Sequence, residues 1–118
     1  MATPTEIRLD RANQILHVTF DDGASFALPA EYLRVESPSA EVQGHHPGQK
    51  QTVAGRRHVG IIAIEPVGHY AVRLTFDDLH DTGIYTWDYL HELGQEQSTR
   101  WAAYLTSLQA LGLSRDPR

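Results

Sequence analysis

The residues of this chain best suited to chemistry are its histidines and paired aspartates. His45 and His46 are adjacent, so with His80 and a nearby carboxylate they could ligate zinc or iron once the chain around them rearranged. Asp77, Asp78, His80 and Asp81 form the densest polar cluster, the one place where acid–base catalysis is worth testing. Both Asp21-Asp22 and Asp77-Asp78 follow strand patterns, where aspartate is favoured because it hydrogen-bonds the local backbone of a turn. His58, His69, His80 and His91 recur every 11 residues, but Pro66 and Gly68 interrupt the segment, so no single helix aligns them. Nucleophile and phosphate motifs are missing: there is no Gly-x-Ser-x-Gly elbow, and Gly44-His45-His46-Pro47-Gly48 lacks the Gly-Lys-Ser/Thr ending.

A second kind of chemistry is charge recognition. The net charge is −5, which disfavours nucleic acid and anionic membranes as partners. Between Glu41 and Glu65, however, the chain holds no acid and carries His45, His46, Lys50, Arg56, Arg57 and His58. Arg56 and Arg57 could clasp a carboxylate or phosphate. Trp87, Tyr85 and Tyr89 could supply an aromatic patch or simply pack in a core. Cysteine is absent, which removes disulfides and thiolate ligands. With no signal-like start and no long apolar run, a soluble cytoplasmic protein is expected.

These residues must be positioned by a duplicated framework. Thr19-Phe20-Asp21-Asp22 leads to Tyr32-Leu33, and Thr75-Phe76-Asp77-Asp78 leads to Tyr89-Leu90. Each copy reads as a strand, a polar turn, a short strand and the first turn of a helix. Apolar alternation predicts antiparallel strands around Ile7–Leu9, Leu16–Phe20, Phe26–Leu28 and Tyr70–Phe76. The nearly continuous apolar run Val59–Val67 predicts a central strand covered on both faces. Short helices are expected over Pro29–Arg34 and after a Thr86 cap, the second ending near Gly94, with Ser37 capping a turn at Pro38. A last helix over Glu96–Leu111 would bury Trp101, Leu105, Leu108 and Leu111, stop at Gly112 and leave a frayed tail, Ser114–Arg118. Residues 43–57 lack periodicity and read as a long exposed loop. The fold class is therefore α+β: one small antiparallel domain of two related strand–turn–strand–helix halves plus a C-terminal helix.

Four words carry a resemblance: Leu28-Pro29-Ala30-Glu31-Tyr32-Leu33-Arg34, Ser37-Pro38-Ser39-Ala40-Glu41, Ile64-Glu65-Pro66-Val67-Gly68-His69-Tyr70-Ala71-Val72 and Gly83-Ile84-Tyr85-Thr86-Trp87-Asp88-Tyr89-Leu90. In this order they resemble the gamma-butyrobetaine hydroxylase-like N-terminal domain over about residues 5–94. Small bacterial members of that family are domains of unknown function. The resemblance implies a structural zinc held by three Cys and one His. Here Ser37, Ser39 and Val42 stand at the thiolate positions and His80 at the histidine, so no metal is expected. The chain has no room for the oxygenase domain of the hydroxylases, so their activity is not implied. Similar domains occur fused to iron–sulfur cluster carriers. The leading expectation is thus a non-catalytic module docking a protein partner through His45, His46, Lys50, Arg56 and Arg57, with no cofactor, and the resemblance implies a link to iron or iron–sulfur metabolism. The alternative is a zinc or iron protein using His45, His46 and His80, and an enzyme comes third. Self-association is also expected, because open sheets leave edges to cover.

Overall fold

The computed structural model describes residues 2–46 and 48–117, so Pro47 of the loop and Arg118 of the tail lie outside the described residues. Strands β1 (Pro4–Asp10), β2 (Ile15–Phe20) and β3 (Ser25–Pro29) form one antiparallel sheet in that order. Helices α1 (Ala30–Val35) and α2 (Ala40–Gln43) follow. A second sheet is built of β4 (Ile61–Val67), β5 (Ala71–Phe76) and β6 (Ile84–Thr86), again in sequence order, and is followed by α3 (Trp87–Gln95) and α4 (Gln97–Leu111). The α+β architecture with a C-terminal helix is thus as expected. Period-two burial makes the strands: Leu16, Val18 and Phe20 in β2, and Val72, Leu74 and Phe76 in β5, point into one shared core with Tyr32, Tyr85 and Leu90. No helix among the described residues is long and apolar enough to cross a membrane.

The repeat extends further than the sequence words. It comprises three strands and a helix, and it reproduces irregularities as well as regular structure. The β1–β2 ladder slips between Pro4 and Glu6, and the β4–β5 ladder slips at the matching place, between Ile61 and Ala63. In the first turn Phe20 N–H donates to Ala24 O at 2.8 Å and Gly23 N–H to Phe20 O at 3.1 Å. In the second, Phe76 N–H donates to His80 O and Leu79 N–H to Phe76 O, both at 2.9 Å. Asp22 accepts from Ala24 N–H and Asp78 from His80 N–H, which confirms the turn role of these aspartates. Each aspartate also takes a partner from the helix of the other half: Arg34 of α1 reaches Asp78, and His91 of α3 reaches Asp22, both at 2.8 Å. Swapped partners of this kind are what a twofold relation between the halves produces.

Three expectations are corrected. The apolar run at β4 is an edge strand, paired among the described residues with β5 alone, and Ile62 in its bulge is 51% exposed. The α4 stripe is rotated: Tyr104 and Leu108 are buried beside Trp101, whereas Leu105 and Leu111 face solvent. Helix α3 ends at Gln95, near Gly94 as expected, and glycine is needed at 94 because a Cβ would lie 2.3 Å from the Phe26 ring. The tail is pinned instead of frayed: Gly55 and Arg57 N–H donate to Ser114 and Arg115 O, and Arg115 makes two bonds to buried Glu31. Two caps hold as read, with Thr86 accepting from Tyr89 N–H and Gly112 closing α4 in the left-handed region.

Candidate functional site

The sequence brings one polar constellation into the interior. The α1–α2 connection carries Ser37 and Ser39, and the β5–β6 turn carries His80. Ser37 Oγ lies 2.8 Å from His80 Nε2, and His80 Nδ1 lies 3.0 Å from Glu41 Oε2. Ser39, not Ser37, caps α2: its hydroxyl accepts from Glu41 N–H and bonds Thr82 Oγ1 at 2.7 Å. Ser37 is instead committed to His80 and also accepts from Ser39 N–H. Burial lowers the His80 pKa, and Arg34 lowers it further, outweighing the opposing pull of Glu41. The imidazole is therefore neutral near pH 7.

Ser–His–carboxylate is the connectivity of an activated nucleophile. Here it is closed. Ser37 is fully buried, and Gly83 lies so close that a Cβ on it would sit 2.5 Å from Ser37 Oγ. The Tyr85 ring, itself fully buried, stands behind Gly83. No substrate atom can approach the hydroxyl. The set does not suit zinc either. One imidazole, two neutral hydroxyls and the apolar Val42, 1% exposed, offer no anionic sulfur. Among the described residues no group of three or more His, Cys, Asp or Glu side chains is placed to hold a metal ion. The cluster is a cross-link between two connections 43 residues apart in sequence.

The other residues singled out from the sequence scatter. His45 and His46 are exposed in the loop after α2, away from buried His80. The loop cations are engaged internally: Lys50 with Glu36 at 2.7 Å, Arg56 with Asp78 at 2.7 Å, and Arg57 with Asp116. Asp78 is held below the usual carboxylate range: burial raises it, but the His80 N–H bond and Arg34 more than offset this. Asp77 and Asp78 line a shallow hollow with Arg56 and His58, but His80 and Asp81 are not part of it. The four residues therefore do not share that hollow. Tyr85 is core, and Trp87 donates its indole N–H to His69 O at 2.8 Å.

One residue escaped the sequence reading. Leu79 adopts φ 71° and is 79% exposed, the most exposed large apolar side chain of the chain's described residues. Its counterpart in the first turn is Gly23, φ 89°. The signal was present in the repeat, where Asp-Asp-Gly is matched by Asp-Asp-Leu. Leucine in the left-handed region is strained, as glycine at the same place in the first turn is not.

Comparison with known proteins gives the framework a family. No curated protein matches the chain. Two structures solved in solution by NMR share 47% and 45% sequence identity with it. The first covers 100% of this chain and 93% of its own at a TM-score of 0.87; the second covers 99% and 87% at 0.85. A crystal structure from Acidithiobacillus ferrooxidans, of a DUF971-family protein with unknown function, is 42% identical over 78% of this chain and 92% of its own, with a TM-score of 0.66. The family model described as gamma-butyrobetaine hydroxylase-like, N-terminal, matches residues 7–91, which spans both halves of the duplication, and the chain belongs to that family.

Proposed function

We propose that this chain is a non-catalytic interaction domain that docks a protein partner through the 43–58 loop and the adjoining Asp77–Leu79 turn. Leu79 is the observation that carries this reading. A strained leucine replaces the glycine that the same turn uses in the other half, and its side chain projects into solvent. The Arg56–Asp78 ion pair fastens the loop to that turn, so the two form one surface with His45, His46 and Lys50 exposed on the loop. The closed Ser37–His80 cluster supports a non-catalytic role. Iron or iron–sulfur metabolism is where the partner should first be sought, as the family resemblance suggests.

The test uses the full chain as immobilised bait, comparing wild type with Leu79→Gly and with Leu111→Ser, a change at an exposed leucine on α4. A partner held stoichiometrically by wild type and Leu111→Ser, and weakened about tenfold or more by Leu79→Gly, is expected. A partner retained undiminished by Leu79→Gly would refute the proposed surface.

A further inference from the structure

The duplication provides an internal control for surface composition. Across the second sheet Glu65, Arg73 and Ile84 lie directly opposite one another on β4, β5 and β6. Their neighbours Val72 and Tyr85 are buried, so this row faces away from the core. The matching row of the first sheet is Arg8, His17 and Ala27. An isoleucine that is 42% exposed thus stands where the other half has alanine. Ile62, 51% exposed in the β4 bulge, stands where the other half has Thr5. The fold is made equally well with small or polar residues at these positions, so the two isoleucines are not required by folding.

Between the isoleucines lies a single ion pair. Arg73 Nη2 is 2.9 Å from Glu65 Oε2, and both side chains remain about half exposed. A face with one cation beside one anion, flanked by apolar groups, is its own complement after a half-turn: Arg73 of one copy meets Glu65 of the next. It is also locally neutral in a chain of net charge −5, where like-charged copies otherwise repel. A partner of single charge sign gains nothing from such a face.

We infer that the outer face of the β4–β5–β6 sheet is a self-association surface whose occupant is a second copy of this chain, arranged by a twofold axis. This surface is distinct from Leu79 and does not depend on the docking role proposed above. Sedimentation velocity on the full chain over a range of concentrations tests it. Wild type should dimerise reversibly, and Ile84→Arg should raise the dissociation constant by about tenfold or more, equivalent to about 1.4 kcal/mol. Arg73→Glu and Glu65→Arg should each weaken the dimer, and the double exchange Glu65→Arg/Arg73→Glu should restore it, because the pairing is re-created with its signs reversed. Circular dichroism melts of every variant confirm that the exposed changes leave the fold intact. A wild type that stays monomeric throughout overturns the inference. So does a dimer indifferent to Ile84→Arg, or single charge reversals that the double exchange fails to rescue.

Discussion

Tyr32 and Tyr89 each donate their hydroxyl to the helix of the opposite half, at equivalent carbonyls. Tyr32 of α1 reaches Leu93 O at 2.7 Å, and Tyr89 of α3 reaches Glu36 O at 2.5 Å. Both bonds end at the C-terminal turn of a helix, where carbonyls lack partners within the helix. The two halves therefore complete each other's secondary structure.

Removing either hydroxyl should leave a carbonyl unsatisfied in the interior. Tyr32→Phe and Tyr89→Phe are each expected to lose about 1–2 kcal/mol in denaturant unfolding. Tyr32 should show the larger effect, being 1% exposed where Tyr89 is only partly buried.

Leu79→Gly should stabilise the protein while impairing docking. Relief of the left-handed strain exceeds the extra chain entropy of glycine, giving a net gain of about 1 kcal/mol. A raised melting temperature alongside weakened partner binding is the expected pair of results. A lowered melting temperature would mean that the Leu79 side chain contributes to the fold.

Glu36 is buried between Lys50 Nζ at 2.7 Å and Arg100 Nη1 at 2.6 Å. Its side chain is 4% exposed, whereas those of its partners are partly solvated. Glu36→Gln removes the charge that compensates both cations, and a loss of about 2–3 kcal/mol is expected in urea unfolding. Lys50→Ala, at the more exposed partner, should cost less.

His80 should make stability depend on pH. Its pKa is lowered in the fold, so the unfolded chain binds the extra proton more readily. The contribution is fully present above the unfolded value of about 6.5 and is lost as pH falls through the folded value. Unfolding midpoints of wild type should therefore decline from about pH 7.5 to about pH 5.5, and His80→Asn should flatten that decline. Equal slopes for the two proteins would exclude His80 as the source.

Restoring thiolates should convert the hydrogen-bonded cross-link into a metal centre. In Ser37→Cys/Ser39→Cys/Val42→Cys, three sulfurs join His80, a donor set that suits tetrahedral zinc. Elemental analysis is expected to find one zinc per chain, with a melt that chelator lowers. The wild-type melt is expected to be indifferent to chelator. Chelator-sensitive melting of wild type would point instead to the loop histidines.

Local chemistry carried most of what was legible in the sequence. Strand alternation, the Thr86 and Gly112 caps and the paired Thr-Phe-Asp-Asp words all act within a few residues. The misreadings arose where a distant contact decides. A continuous apolar run does not distinguish a central strand from an edge, and only the bulge shows that Ile62 turns outward. The α4 face was misjudged because Tyr104 hides its hydroxyl on Val53 O, a bond made across 51 residues. The tail looked free because its anchor, Glu31, lies 84 residues away from Arg115. At the candidate site the family words brought Ser37 and His80 together, but nothing in the spacing told that Gly83 would close the hydroxyl off.

The exchange of partners between halves has an evolutionary reading. Arg34 with Asp78, and His91 with Asp22, pair as side chains do across the axis of a homodimer. The same geometry would serve two half-length chains, each a three-stranded sheet and a helix, before their genes were joined. In such a history the segment between α1 and β4 would be the tether that joined them. The copies differ at equivalent places: Ala24 corresponds to His80, Gly94 to Ser37, and Gly23 to Leu79. Once one half could keep the fold, the other was at liberty to change its surface.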